Sequence, residues 1–135
     1  MSTRQTIAGD IVLIPLSEGF RPAKVLYVSH RYKDTILLGL YANCVSTRQL
    51  PDELADTFAL RLYTSKTAVR KQRWHWVGHE ALRASQTGLD LRIVAGELWQ
   101  GDQHLGLASP EQRKDLPEML VMGAALVEKK AAAIP

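Results

Sequence analysis

Cysteine is nearly missing from this chain: Cys44 is the single one in 135 residues. No internal disulfide can form, so a cystine framework is excluded and the fold must rest on a packed core; a lone thiol also suits a reducing compartment. Cys44 follows the apolar run 36–42 and reads as a small packed core residue rather than a reactive nucleophile. Long apolar runs are missing too. Nothing approaches the roughly 20 residues of a membrane-spanning helix. The N-terminus carries one basic residue, Arg4, with no apolar stretch of secretory type behind it. The expectation is a soluble, cytoplasmic protein with no membrane contact.

The common chemical signatures are absent as well. The chain has no Gly-x-x-x-x-Gly-Lys-Ser/Thr loop, no Gly-x-Gly-x-x-Gly turn and no Gly-x-Ser-x-Gly elbow. Phosphate cradles, dinucleotide sites and hydrolase nucleophiles of the usual kinds are therefore not expected. His75 and His79 stand four apart with Glu80 beside the second, yet a zinc-protease helix needs its glutamate directly after the first histidine, where this chain has Trp76. His30 and His104 are isolated. Asp10, Asp34, Asp90, Glu97 and Asp102 adjoin glycines or turn positions, and turn chemistry accounts for them. No enzymatic activity, metal or cofactor is expected.

What is present is a β pattern. At 46% hydrophobic residues, the chain is long enough to bury one core as a single domain over residues 1–135, with fraying expected at 1–6 and 129–135. Residues 9–16 and 23–28 are apolar, β-branched runs separated by Ser17, Glu18, Gly19 and Pro22, which reads as two antiparallel strands. Residues 35–41 make a third strand after the polar connection 30–34. Residues 43–56 form a loop around Pro51, with one helical turn at 52–55. Residues 57–63 alternate Phe58, Leu60 and Leu62 against Thr57, Ala59, Arg61 and Tyr63, the period of a strand with one face inward. Residues 73–78 are a fifth strand, 80–85 a short helix ending near Gly88, and 91–95 and 97–100 two short strands.

Composition changes at Ser109. A capping serine, Pro110 in the first turn, and Glu111 and Gln112 behind it open a helix. Pro117 interrupts it, and residues 119–122 with Leu126 and Val127 supply an apolar stripe for docking on the sheet. The expected architecture is mainly β of the α+β kind: a strongly bent antiparallel sheet or partial barrel with a C-terminal helix packed on it. Ala8-Gly9-Asp10-Ile11 and Ala95-Gly96-Glu97-Leu98 echo one another over only four positions, too few for a repeat.

The net charge of +3 is unevenly spread, with seven basic residues between positions 61 and 92 (Arg61, Lys66, Arg70, Lys71, Arg73, Arg83, Arg92) against Glu80 and Asp90. Asp52, Glu53 and Asp56 form an acidic cluster just before them. An ordinary solvated face explains such charges, and so does a surface for an oppositely charged partner. In a regular strand, Trp74, Trp76 and Gly78 lie on one face and His75, Val77 and His79 on the other. Two indoles together either centre the core or form an exposed ridge beside Arg70, Lys71 and Arg73.

The strand Gly9-Asp10-Ile11-Val12-Leu13-Ile14-Pro15-Leu16, the segment Ala23-Lys24-Val25-Leu26 and the later Arg73-Trp74-His75-Trp76-Val77-Gly78 resemble the immunity protein 26 family of bacterial polymorphic-toxin systems. The resemblance implies a mostly β cytoplasmic antidote that binds and neutralises a cognate protein toxin without catalysis. The candidate partner-binding residues are Arg70, Lys71, Arg73, His75, His79 and Trp99, or else the acidic patch Asp52, Glu53 and Asp56 against a basic toxin. A reading from another class is a small β-barrel module that binds nucleic acid through the basic stretch, with aromatic stacking and a steep salt dependence.

Overall fold

The computed structural model describes residues 5–32 and 34–135; the expected fraying of residues 1–4 lies outside them. Among the described residues, nine strands form two sheets. The first has six strands in the order β5-β1-β2-β3-β4-β9: β1 (Asp10–Pro15), β2 (Phe20–Val28), β3 (Thr35–Leu40), β4 (Leu60–Ser65), β5 (His75–His79) and β9 (Val121–Met122). The second has three: β6 (Arg92–Val94), β7 (Glu97–Gln100) and β8 (Gln103–Leu107). Helices are α1 (Thr67–Arg70), α2 (Pro110–Asp115) and α3 (Ala124–Ala133). The fold is mainly β with a C-terminal helix packed on the sheet, as the patterning led us to expect. All pairings in the large sheet are antiparallel except the short parallel contact of β4 with β9, and the sheet stays open rather than closing into a barrel.

The runs read as strands are apolar on consecutive positions because β1, β2 and β3 are covered on both faces. One face carries Val12, Ile14, Val25, Ile36, Leu38, Leu40 and Leu62, which pack with Trp74, Ala68 and the α3 residues Val127 and Ala131. The opposite face carries Leu26, Leu37 and Tyr63, packed against Phe58, Leu82, Leu89 and Met119.

Several expectations change. The fourth strand starts at Leu60 rather than Thr57, because Phe58 leaves the sheet and its ring fills the space over Gly39, where an added Cβ would lie 2.5 Å from it. The helix expected over 80–85 is extended chain up to a single 3₁₀ turn, Ala84–Gln86. Its polar side chains reach toward Lys24 instead of solvent. Lys24 is fully buried and bonds Glu80 Oε1 at 2.8 Å, the Ala81 carbonyl at 3.1 Å and Gln86 Oε1 at 2.7 Å, so all three ammonium protons are used.

Pro117 separates α2 from α3, and the capping box forms as read: Ser109 Oγ accepts from Gln112 N at 3.1 Å and Gln112 Oε1 from Ser109 N at 2.8 Å. The tail expected to fray from residue 129 is helical through Ala133, and Ala131 is buried. The buried Arg21 holds it, with Nε donating to the Ala131 carbonyl at 3.2 Å and Nη2 to that of Ile134 at 3.1 Å. Residues 121–122 join the sheet as β9 instead of lying on a helix. Cys44, expected in the core, is exposed. No helix among the described residues is long and apolar enough to cross a membrane.

Candidate functional site

The six residues singled out for partner binding do not form one surface. Arg73 is claimed by α3: its Nε and Nη2 donate to the two oxygens of Glu128 at 2.8 and 2.5 Å, and Trp74 Nε1 donates to the same carboxylate at 3.0 Å. Arg73 and Trp74 together hold the Glu128 carboxyl below its ordinary range, although burial opposes the shift. Arg70 pairs with Asp34 at 3.5 Å, a carboxylate it shares with Lys66 at 3.9 Å. Lys71 is exposed at the end of α1. The two indoles part company. Trp74 is fully buried, whereas Trp76 is 42% exposed on the edge strand.

A β-bulge explains what happens to the histidines. Val12 lies opposite Trp76 and Leu13 opposite His75, but Ile11 lies opposite Gly78 and Asp10 opposite His79, so Val77 is an extra residue in β5. Beyond it the alternation is inverted. His79 therefore joins the Trp76 side, and His75 and Gly78 share the other, which corrects the expected grouping. The two imidazoles point to opposite faces of the sheet. His75 meets Phe20 edge to face at 5.8 Å, and its pKa is lowered by burial and by the charge of Arg48. His79 Nδ1 lies 3.1 Å from the buried Asp10 carboxylate, whose other oxygen accepts from Ile7 N.

Trp99 belongs to the second sheet and is buried. Arg31 lies 4.8 Å over its ring, Tyr32 meets it edge-on and His104 tilts against it at 5.0 Å. Indole and basic residues do meet, but through the β2–β3 turn, a segment the sequence marked only as a polar connection.

The acidic cluster and His79 come together instead. Leu50, Pro51, Asp52, Glu53, Leu54, His79, Glu80 and Arg83 line a groove of about 450 Å³ beside β5. A second groove of about 530 Å³ shares Glu53 and Leu54 and runs along Ala42 and Asn43. The loop is fixed from below. Arg83 ion-pairs with Asp56, donates to the Leu54 carbonyl at 2.9 Å and to Glu80 at 3.1 Å, and Gln86 Nε2 donates to the Asp56 carbonyl at 3.2 Å. Arg83 first and Lys24 second keep the Glu80 carboxyl low. Tyr41 beneath is pushed up to about 12, mainly by burial and then by the charge of Glu80.

Asp56 is thus used internally, while Asp52 and Glu53 are exposed and no described residue pairs with them. Counting Asp10, Asp52, Glu53, Asp56 and Glu80 against Lys24 and Arg83, with histidine neutral, the groove and its floor carry five negative charges and two positive ones. Leu50, which packs over Gly78, adds apolar surface to the groove at 42% exposure. Sequence reading flagged the acidic cluster and His79 separately; Glu80 and Arg83 were assigned to a helix and missed, and only the loop's return over β5 unites them. Comparison with protein-family models, with curated proteins and with solved structures finds no match to this chain.

Proposed function

We propose that this chain is a non-catalytic, immunity-type protein that binds and neutralises a cognate protein toxin inside the cell, using the acidic groove beside β5. The observation that carries the reading is the difference between its two charged regions. The cations Arg70, Arg73 and Arg83 are tied to carboxylates of the chain itself, whereas Asp52 and Glu53 stand free on a rigid loop next to exposed Leu50. A preorganised apolar patch with unpaired charge at its rim suits occlusion: the apolar anchors hold, and the charges speed encounter with a partner of opposite sign. The partner face is therefore basic.

Co-expression with the product of the neighbouring gene tests this. The expected outcome is rescue of growth and co-purification of the two chains, with association slowing steeply as salt rises. Asp52→Lys with Glu53→Lys should weaken the complex about tenfold or more, while Arg70→Glu leaves it unchanged. Failure to rescue growth or to co-purify would sink the reading; weakening by Arg70→Glu alone would move the contact to the basic side.

A further inference from the structure

The β2–β3 turn gathers hydrogen-bond donors on one point. Ser29 Oγ donates to Asp102 Oδ1 at 2.7 Å, His30 N donates to Oδ2 at 2.8 Å, the Tyr27 hydroxyl donates to Oδ1, and Arg31 N–H also reaches the carboxylate. Ser29 is buried and its oxygen accepts from Tyr32 N at 2.8 Å, which leaves its proton for Asp102. Successive backbone N–H groups with two hydroxyls make a concave oxyanion site. Asp102 does not belong to this turn. It arrives from the β7–β8 turn, 73 residues from Ser29.

The second sheet is held over the first with little apolar contact. Neither apolar cluster contains a residue of β6, β7 or β8. β6 is anchored by backbone bonds of Ile93 to Pro117 and Met119 at 2.9 and 2.8 Å, and by Arg92, a buried guanidinium 5.1 Å from the Tyr27 ring and 5.6 Å from the Tyr63 ring, whereas the links of the β7–β8 hairpin are Asp102 itself and Trp99 under Arg31 and against Tyr32. Arg92 Nη1 reaches the Gly101 carbonyl at 2.5 Å, but its Nε and Nη2 have no hydrogen-bond partner among the described residues. An attachment made of polar and cation–π contacts opens at lower cost than an apolar core.

We propose that the β2–β3 turn is an oxyanion-binding site that Asp102 occupies in cis, and that a carboxylate or phosphate group from outside the chain takes its place when the β7–β8 hairpin lifts. The site is separate from the acidic groove and opposite in sign. Its ligand presents at least the two oxygens that Asp102 presents now, either as an acidic side chain of a partner or as a phosphate.

The test vacates the site. Asp102→Ala should lower the thermal midpoint, and acetate or phosphate should restore it saturably, by about 4 °C in the accessible range, while chloride at equal ionic strength does not. Adding Tyr27→Phe and Ser29→Ala to Asp102→Ala should abolish the response. A response to acetate alone identifies a carboxylate site, and one to phosphate a phosphate site. If Asp102→Ala does not fold without anion, its refolding yield against acetate or phosphate gives the same reading, and Asp102→Asn provides a second variant. In the unaltered chain, the anion that restores the variant should accelerate hydrogen exchange of β7 and β8 amides about threefold relative to chloride and leave β1–β3 unchanged. No saturable response in either variant, or unchanged β7–β8 exchange in the unaltered chain, overturns the proposal.

Discussion

Lys24 shows how a single buried charge organises this protein. Its ammonium lies within a strand that reads as uniformly apolar, and it is tolerable only because Glu80, Ala81 and Gln86 accept its three protons. Lys24→Ala should cost about 2–4 kcal/mol, below the full penalty for a buried pair because Glu80 is partly exposed. Lys24→Met, which keeps the stem, should cost less; equal losses in denaturant unfolding would show that the network contributes no more than packing does. Gly39 and Phe58 form a second coupled pair. Gly39→Ala should destabilise by about 1–3 kcal/mol, and far less in a Phe58→Ala background; additive costs would contradict the contact.

Asp102 sets an acid limit at the same scale. Burial raises its pKa, but the bonds from Tyr27, His30, Ser29 and Arg31 outweigh burial and hold it down to about 2. A carboxyl depressed in the folded state contributes stability fully above its unfolded pKa of about 4. That contribution is lost as pH falls from about 4 toward about 2. Thermal midpoints should drop through this window, and Asp102→Asn should flatten the drop.

At the scale of elements, two local decisions matter. The Val77 bulge turns His79 away from His75 and toward Asp10, so a histidine pair that spacing places on one face ends on opposite faces. Deleting Val77 removes the extra residue and leaves His79 opposite Asp10; the expected result is a His79–Asp10 contact that is kept, read from histidine chemical shifts, and its loss would contradict Val77 as the bulged residue. The C-terminal end of α3 is fixed by Arg21, which binds the carbonyls of Ala131 and Ile134 from 110 or more residues away. Truncation after Lys130 leaves a buried guanidinium short of acceptors and should cost more than Arg21→Met, which removes the charge as well. Equal midpoints for the two would refute that account.

For the whole molecule, the two sheets are unequal. β1, β2 and β3 are buried on both faces, so their amides should exchange only through global unfolding, whereas β7 and β8, attached by Asp102 and Trp99, should exchange earlier. Matching protection in both sheets would mean that they unfold as one unit. Charge is divided as well. The basic stretch 61–92 that stands out in the sequence is largely spent inside the molecule, on Glu128, Asp34, Asp56 and the tyrosine rings around Arg92. The smaller acidic cluster stays open to solvent.

The sequence by itself determined the β1–β4 succession, the Ser109 capping box and the break at Pro117, because these rest on local periodicity, turn residues and capping, all read within a few positions. The Gly9–Leu16 segment needed no tertiary information to be recognised as a strand. Only the tertiary structure decided the rest: which charges are paired, where Trp99 packs, that Arg21 grips α3 and that the 50–56 loop returns over His79. Those contacts join residues far apart in the chain, such as Arg21 with Ala131 or Ser29 with Asp102. A helix expected at 80–85 failed for the same reason. Its glutamate and the Ala81 carbonyl, with Gln86 just beyond, found a buried lysine more than fifty positions away, and satisfying that charge outweighed local helical preference.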